Sequence, residues 1–274
     1  MSAAAVFIRN PEERYAITLE NPEWAHTMGF LQCDPSMDGP PPRQRQLEIV
    51  AAGPFVQLRE AGAAPRNFGS IVAVQEHLHS RLFMEALAGE RAILHGACLL
   101  AQGRRVLLVG PKAAGKSTLT LALGLAGFAI EGDENLFVMR EGVSARPRAC
   151  RVKESSVEVL PALVPLLVDA PFVTDYQGRN IYNLPPDRLG VPWHIATGKV
   201  TAVIMLHANH GGMSSIRRLP PLLLTQALMN EMVFTEGKSA GIAGVAGLAA
   251  ARGYDLSVGN LAAAVACVQS IMTE

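Results

Sequence analysis

The sequence predicts an α/β protein, because strand-like apolar runs alternate with helix-like segments over most of its length. Residues 106–109 are continuously apolar, which is typical of a strand buried on both faces. A glycine-rich loop follows this run, and helical spacing of apolar residues begins at Ser117. A second apolar run at 200–206 is again followed by helix-like segments, which indicates a sheet with helices packed against it.

The predicted elements divide the chain into two parts. Short runs of alternating apolar and polar residues at 15–19 and 46–50 predict strands, so we interpret residues 1–70 as a small β-rich N-terminal lobe. Residues 71–274 form the second part, in which 176–197 is predicted to be a loop. Its predicted strands lie at 93–100, 106–109, 128–130, 136–139 and 200–206, and its predicted helices at 71–87, 117–125, 156–167, 222–234, 242–252 and 261–272.

Composition argues against several classes of protein. The 274 residues include 24 Lys plus Arg and 24 Asp plus Glu, so the formal net charge is zero. This balance argues against a broad basic surface for nucleic acid, and the lack of an apolar run of about 18 residues predicts no membrane span. The four cysteines form no CxxC pair, and charged residues interrupt the N-terminus where a signal peptide is apolar. We therefore expect reduced, mostly buried thiols in a cytoplasmic protein.

The strongest motif is a match to GxxxxGK(S/T) between the first apolar strand and its helix. In such a loop, successive backbone N–H groups surround the phosphates, and the following helix directs its positive dipole end at them. Lys116 then reaches the β- and γ-phosphates, and Ser117 places its hydroxyl on Mg²⁺. The motif predicts a nucleoside triphosphate site with magnesium and does not choose between ATP and GTP. The predicted contacts are Gly110, Pro111, Lys112, Ala113, Ala114, Gly115, Lys116, Ser117 and Thr118.

Acidic residues suited to this chemistry come after the loop. Asp133 and Glu134 follow the predicted strand at 128–130, and ligands gather at the carboxyl ends of strands in open α/β sheets. Such an acid holds Mg²⁺ or accepts the proton of an attacking hydroxyl, and the alternative is a solvated turn. Glu154 is a further candidate for an acid linked to magnesium, and the alternative is that it has no metal role.

Histidine and basic residues complete the candidates. His95 precedes Gly96 in a strand that leads toward the loop, and it is either functional or a strand-end residue with satisfied hydrogen bonds. Four cations lie close together in a connector and either contact phosphates or an acidic part of a substrate, or are simply solvated. These cations are Arg146, Arg148, Arg151 and Lys153.

Together these residues resemble the C-terminal domain of the HPr kinase/phosphorylase family and the related P-loop serine kinases. The shared order is His95-Gly96, a strand, a glycine turn, a strand, the loop at 110–117, a helix and then Gly132-Asp133-Glu134. The resemblance is specific over residues 91–160. It implies that residues 71–274 form a P-loop kinase core of the HPr kinase and PEP carboxykinase type, preceded by the small β-rich lobe.

The resemblance also implies roles for single residues. Asp133 matches the base that accepts the hydroxyl proton, Glu134 the acid near the metal, and His95 the histidine that supports the transferring phosphoryl group. Lys116 is the phosphate clamp in the same scheme. The implied ligands are ATP and Mg²⁺, and the implied acceptor is a Ser or Thr hydroxyl of a peptide or small protein, for which a ribosomal precursor peptide is one example. Assembly into homo-oligomers is implied as well.

Two other functions stay open at this point. Members of the family with reverse phosphorylase activity carry Ser and Gly where this chain has Lys112 and Ala113. That difference favours an ATP-binding regulatory or assembly protein that transfers nothing. A kinase that acts on a small molecule is the other alternative, and a deep closed acceptor pocket would favour it.

Overall fold

The computed structural model describes residues 4–10, 13–38, 43–88, 91–175, 177–233 and 239–273. It shows a mixed α/β protein with several sheets, which confirms the predicted class. Within the described residues, a five-stranded sheet lies in the N-terminal part and an eight-stranded sheet in the remainder. Two smaller sheets, of three and two strands, accompany them.

The N-terminal lobe is built on the five-stranded sheet. Its elements are β1 (Ala4–Arg9), β2 (Glu13–Leu19), α1 (Trp24–Gly29), β3 (Ser36–Met37), β4 (Arg43–Ala52), β5 (Phe55–Glu60), β6 (Arg66–Phe68) and α2 (Ile71–Ala88). The sheet has the order β1-β2-β4-β5-β6. Tyr15, Ile17 and Leu19 alternate along β2 and are all buried, because successive side chains of a strand point to opposite faces.

Helix α2 packs on the N-terminal sheet although it begins after residue 70. Its apolar stripe of Val74, Leu78 and Leu82 belongs to the same buried cluster as Ile17 and Leu47. Contacts of the lobe therefore continue past the predicted boundary, and the division at residue 70 stays a prediction.

The second part of the chain supplies the larger sheet and the helices that cover it. Its strands and helices are β7 (Ala92–Ala101), β8 (Arg104–Val109), α3 (Lys116–Leu125), β9 (Ala129–Met139), β10 (Gly142–Ala145), β11 (Cys150–Lys153), α4 (Glu154–Val159), β12 (Phe172–Thr174), β13 (Asn180–Leu184), β14 (His194–Ile195), β15 (Ala202–Ala208), β16 (Ser215–Leu219), α5 (Pro221–Asn230), β17 (Met232–Val233), α6 (Ser239–Gly247), β18 (Arg252–Val258) and α7 (Leu261–Met272). Short 3₁₀ helices lie at Pro161–Leu167, Pro186–Leu189 and Leu248–Ala250.

The large sheet has the order β10-β9-β7-β8-β15-β18-β16, with β17 paired to β7. Strands β8, β15 and β18 are parallel, and β7 is antiparallel to both β8 and β9. Helices α3 and α7 cover one face, where Leu119 and Val268 pack with Leu108. Helices α5 and α6 cover the other face, where Leu224 and Val245 pack with the side chains that the strands direct to that face. Both faces are therefore buried, as continuous apolar strands require.

Several elements differ from the predictions. Residues 128–130 and 136–139 were expected to be separate strands, but β9 runs through the polar residues between them because those residues are paired with β7 and buried. The predicted loop at 176–197 contains β13, a 3₁₀ helix and β14, while Tyr176 itself lies outside the described residues. Strand β18 was not predicted, because it follows an Ala- and Gly-rich helix with no clear break.

The cysteines agree with the expectation of free thiols. Cys33, Cys98 and Cys150 are buried, Cys267 is half-buried, and none of the four forms a disulfide. Burial raises the pKa of the Cys33, Cys98 and Cys150 thiols well above the ordinary value. Among the helices that the structure describes, none combines the length and the apolar character that a bilayer crossing requires.

Candidate phosphate-binding and acid site

The predicted phosphate loop connects the carboxyl end of β8 to the first turn of α3. A Cβ added at Gly110 would lie 2.6 Å from the Leu206 carbonyl oxygen, so only glycine allows β8 to approach β15 this closely. Gly115 has a left-handed φ of 88°, directly before α3. Ala113 also adopts a left-handed φ, of 68°, so alanine does not prevent the curled path of the loop.

The Lys116 side chain turns back into the loop. It is buried, and its Nζ donates to the carbonyl oxygens of Gly110 at 2.5 Å and Pro111 at 2.8 Å. Burial lowers the pKa of the Lys116 ammonium, and the carboxylates of Glu231 and Asp133 oppose that shift. A partly desolvated ammonium held inside a curled loop interacts strongly with an anion that enters it.

The remaining loop residues differ in exposure. Pro111, Lys112 and Ala113 are exposed, whereas Ala114 is buried in the core. Thr118 lies one residue past the motif, and its hydroxyl is 3.0 Å from the Ser156 hydroxyl of α4. The contact between Thr118 and Ser156 fixes α4 beside the start of α3.

Asp133 lies beside the phosphate loop, but not where the sequence placed it. It is in the middle of β9, opposite Ala97 of β7, and not in a turn at the end of a strand. Gly96 of β7 pairs with Val109 on one side and Glu134 on the other, so the acids are level with the carboxyl end of β8. Antiparallel pairing through β7 brings them there, because it aligns β9 with β8.

The Asp133 carboxyl group is buried, and burial raises its pKa to about 6. The nearby Glu134 charge adds to that shift, while a hydrogen bond with Ser117 and the positive charges of Lys116 and Arg148 oppose it. Asp133 is thus brought together with the two loop residues that the motif assigns to phosphate and metal. The alternative of a solvated turn is wrong for Asp133.

Glu134 is adjacent to Asp133 but has a different environment. Its φ of 102° is unusual for a residue with a side chain. Such a backbone conformation persists mostly where surrounding contacts hold it in place. Its carboxylate forms an ion pair with the guanidinium of Arg148. The predicted metal role of Glu134 stays a prediction, and binding of a metal there would compete with this ion pair.

His95 lies on β7 opposite Asn135 of β9 and is half-buried. Burial lowers the pKa of its imidazole, the positive charge of Lys116 lowers it further, and Glu134 opposes both effects. The ring is therefore neutral near pH 7. The structure places His95 within electrostatic reach of Lys116 and Glu134, and Asp133 within reach of the same two residues.

The basic connector is not solvated as a whole. Arg146 and Arg148 are buried, so the alternative of solvated residues is wrong for these two. Arg151 is half-buried, with its guanidinium carbon 4.5 Å from the centre of the Phe30 ring of the N-terminal lobe. Lys153 is exposed.

The contacts of Glu154 differ from those of the acid pair. Its Oε1 accepts a hydrogen bond from the backbone N–H of Asn180 at 3.0 Å, which ties α4 to β13. Across the described residues, no group of three or more His, Cys, Asp or Glu side chains is arranged to hold a metal ion. A magnesium ion bound with a triphosphate needs only one or two protein ligands, because phosphates and water supply the others.

Sequence reasoning missed a buried acid next to the site. The Glu131 carboxylate accepts from Arg105 Nε at 2.7 Å and Nη2 at 3.0 Å, and also from the Cys98 thiol and the Ala196 backbone N–H. Its backbone carbonyl accepts from the Trp193 indole at 2.8 Å. The register between β7 and β9 shifts beside Cys98, where Glu131 has no opposing residue. Its partners are too distant in sequence for a local pattern to reveal them.

Comparisons with known proteins add little to this geometry. No family model and no curated protein matches the chain. Among solved structures, it is similar to one described as the Hpr(Ser) kinase/phosphatase from Coxiella burnetii, at 14% identity and a TM-score of 0.34. The match covers 66% of this chain and 90% of the other. A TM-score of this size does not establish a shared fold, so the function has to be inferred from the residues of the site.

Proposed function

We propose that the protein is an ATP-dependent kinase that transfers the γ-phosphoryl group to a Ser or Thr hydroxyl of a peptide or small protein. The observation that carries this proposal is the buried Asp133 carboxyl group on β9, which strand pairing through β7 brings level with the phosphate loop and whose pKa burial raises to about 6. A base whose pKa lies just below neutral pH is ionised at neutral pH and still accepts a proton effectively.

The loop supports the nucleotide part of the proposal. It joins strand β8 to helix α3 through left-handed residues at Ala113 and Gly115, and a curled backbone at a helix N-terminus suits a triphosphate. The oxygen donors of Ser117 and Glu134 suit Mg²⁺, and Glu154 is a further candidate ligand. When bound, the ion would neutralise charge on the phosphates.

Transfer would divide the work among three side chains. Asp133 accepts the proton of the acceptor hydroxyl, whose oxygen forms a bond to the γ-phosphorus. The bond from that phosphorus to the bridging oxygen breaks, and ADP leaves with the electron pair. Lys116 offsets the charge on the phosphates, and the neutral His95 ring donates a hydrogen bond to the transferring group. Positioning and charge stabilisation of this kind dominate phosphoryl transfer.

The proposed architecture is a P-loop core of the HPr kinase and PEP carboxykinase type, with ATP and Mg²⁺ as ligands and a cytoplasmic location. A precursor peptide made by the ribosome is the acceptor that we propose to test first. Assembly into homo-oligomers is part of the same proposal.

The direct test is transfer of label from γ-labelled ATP with Mg²⁺ to candidate acceptor peptides, with Lys116→Ala as the control. We expect labelled Ser or Thr with the native protein and at least a roughly 100-fold lower rate with the variant, since electrostatic groups of this kind contribute such factors. Tight ATP binding without transfer to any acceptor would favour a regulatory protein. Failure to bind ATP would refute both functions.

The regulatory alternative has one observation in its favour. Lys116 Nζ donates hydrogen bonds to two carbonyl oxygens of its own loop, and a phosphate bound there would compete with them for the ammonium. A protein that only senses ATP could use that exchange of partners without any acceptor.

The pH dependence of kcat/KM gives a second test, because it reports the pKa of groups in the free enzyme. Asp133 acts only when ionised, so kcat/KM should rise with pH through about 6 and then level off. The rising limb should disappear in Asp133→Asn. A profile that is flat between pH 5 and 7, that is, about one unit on either side of this pKa, would remove Asp133 as the base.

A further inference from the structure

Two buried guanidinium groups lie side by side next to the acid pair. The segment between β10 and β11 carries Arg146, which is 4% exposed, and Arg148, which is 2% exposed. Arginine stays charged in proteins, and a buried charge is costly unless an opposite charge or several hydrogen bonds compensate for it. The partners of these two side chains therefore show whether the cluster is complete.

The two guanidinium groups differ in their ion pairing. Within the described part of the chain, Glu134 is the carboxylate that pairs with Arg148, and no carboxylate pairs with Arg146. Arg146 instead has neutral partners. One is His79 Nδ1 at 3.5 Å, and the other is the Asn135 side-chain oxygen at 3.1 Å, when the Asn135 amide is oriented with its oxygen toward Arg146. His79 is neutral because burial and both arginines lower its pKa to about 4. Asp133 also lies in the electrostatic field of Arg148, so two carboxylates are near the pair while one of them forms a direct ion pair with it.

Hydrogen bonding of Arg148 is also incomplete. Among the residues that the structure describes, none accepts a hydrogen bond from its buried Nε and Nη2 donors, while the Phe30 ring centre lies 5.5 Å from its guanidinium carbon. The Glu134 side chain that pairs with this group is 31% exposed, whereas the Arg148 side chain is 2% exposed. Glu134 holds this position with a left-handed backbone.

We propose that Arg146 and Arg148 form a binding site for an oxyanion of a reactant, and that the Glu134 carboxylate occupies this site in the ligand-free protein. When Glu134 turns away, the Arg148 guanidinium opens on the side that faces solvent, next to Asp133. The oxyanion then belongs either to the transferring phosphoryl group or to an acidic group of the acceptor. In both cases the biological meaning rests on the proposed kinase function.

The test is a calorimetric titration with orthophosphate and, separately, with acetate. All proteins carry Lys116→Ala, which weakens phosphate binding by the loop. Adding Glu134→Gln should tighten binding of at least one anion about 10-fold, because a charge-assisted bidentate contact becomes available. Adding Arg148→Gln to that protein should remove the gain. Glu158→Gln, which deletes an exposed carboxylate elsewhere, should give no gain.

Comparison of the two anions distinguishes the two possible origins of the bound oxyanion. A gain for orthophosphate alone assigns the site to the phosphoryl group, and an equal gain for acetate assigns it to a carboxylate of the acceptor. Equal affinities with and without Glu134→Gln would overturn the proposal, as would a gain that persists after Arg148→Gln. If Arg148→Gln fails to fold, Arg148→Lys serves in its place, because lysine keeps the charge and loses the bidentate geometry.

The titration does not depend on transfer. A gain in anion affinity in a protein that phosphorylates no acceptor would keep the oxyanion site and remove the kinase function. Transfer activity in a protein without a gain in anion affinity would keep the kinase function and remove the oxyanion site.

Discussion

Asp133→Asn should reduce kcat for phosphoryl transfer by roughly 10²- to 10⁴-fold, the range that general bases contribute. Asparagine has almost the same shape and keeps one oxygen for the hydrogen bond with Ser117, but it cannot take a proton from the acceptor. Lys116 and the loop backbone are unchanged, so the Kd for Mg-ATP should change little. The measurement is transfer of label from γ-labelled ATP together with calorimetric binding of ATP.

Asp187→Asn is the matched control, because Asp187 is exposed in the 3₁₀ helix Pro186–Leu189, away from the loop contacts. It should leave both quantities unchanged. A fully active Asp133→Asn protein would contradict the assignment of Asp133 as the base. A parallel loss of ATP binding would show that Asp133 supports the nucleotide site and not proton transfer alone.

Glu131→Gln should lower the free energy of unfolding by about 3–5 kcal/mol, the cost of breaking a buried ion pair by removing one partner. The Glu131 carboxylate accepts both Arg105 donors and is 1% exposed, so the variant leaves the Arg105 guanidinium buried without an anion. This loss is a large part of the 5–15 kcal/mol that usually stabilises a domain. Denaturant unfolding followed by circular dichroism measures it.

Glu158→Gln makes the same chemical change at an exposed position of α4 and should alter stability by less than about 0.5 kcal/mol. Equal stability of Glu131→Gln and the native protein would mean that water or another group compensates Arg105. Because Glu131 is two residues from Asp133 on β9, we also expect the variant to disturb the position of the acid.

Local patterns predicted the parts of the fold that depend on local sequence. The helix predicted at 261–272 has the same bounds as α7. Its apolar spacing and its Asn260 cap both depend on residues that are close together in the sequence. The strand, loop and helix around residues 110–117 were predicted for the same reason. Strand β18 was missed because its pairing with β15 is a contact between distant residues.

The same difference between local patterns and contacts of distant residues applies to the candidate site. Asp133 lies level with the loop, but the position predicted for it at a strand end was wrong, because antiparallel pairing through β7 brings β9 alongside β8. For Arg146 and Arg148 the sequence left open whether they contact a ligand or are solvated, as charged residues in a connector usually are. Their burial depends on α2 and on Phe30, which lie far away in the chain.

The buried cysteines give this protein its own probes of local opening. A thiol with a raised pKa inside a packed region reacts with an alkylating reagent only after that region opens. Cys33 lies in the N-terminal lobe within the electrostatic field of Arg146 and Arg148, whereas Cys98 is on β7 and Cys150 on β11. Separate alkylation rates at these three positions would therefore show how often the lobe lifts from the arginine pair, compared with how often the central sheet opens.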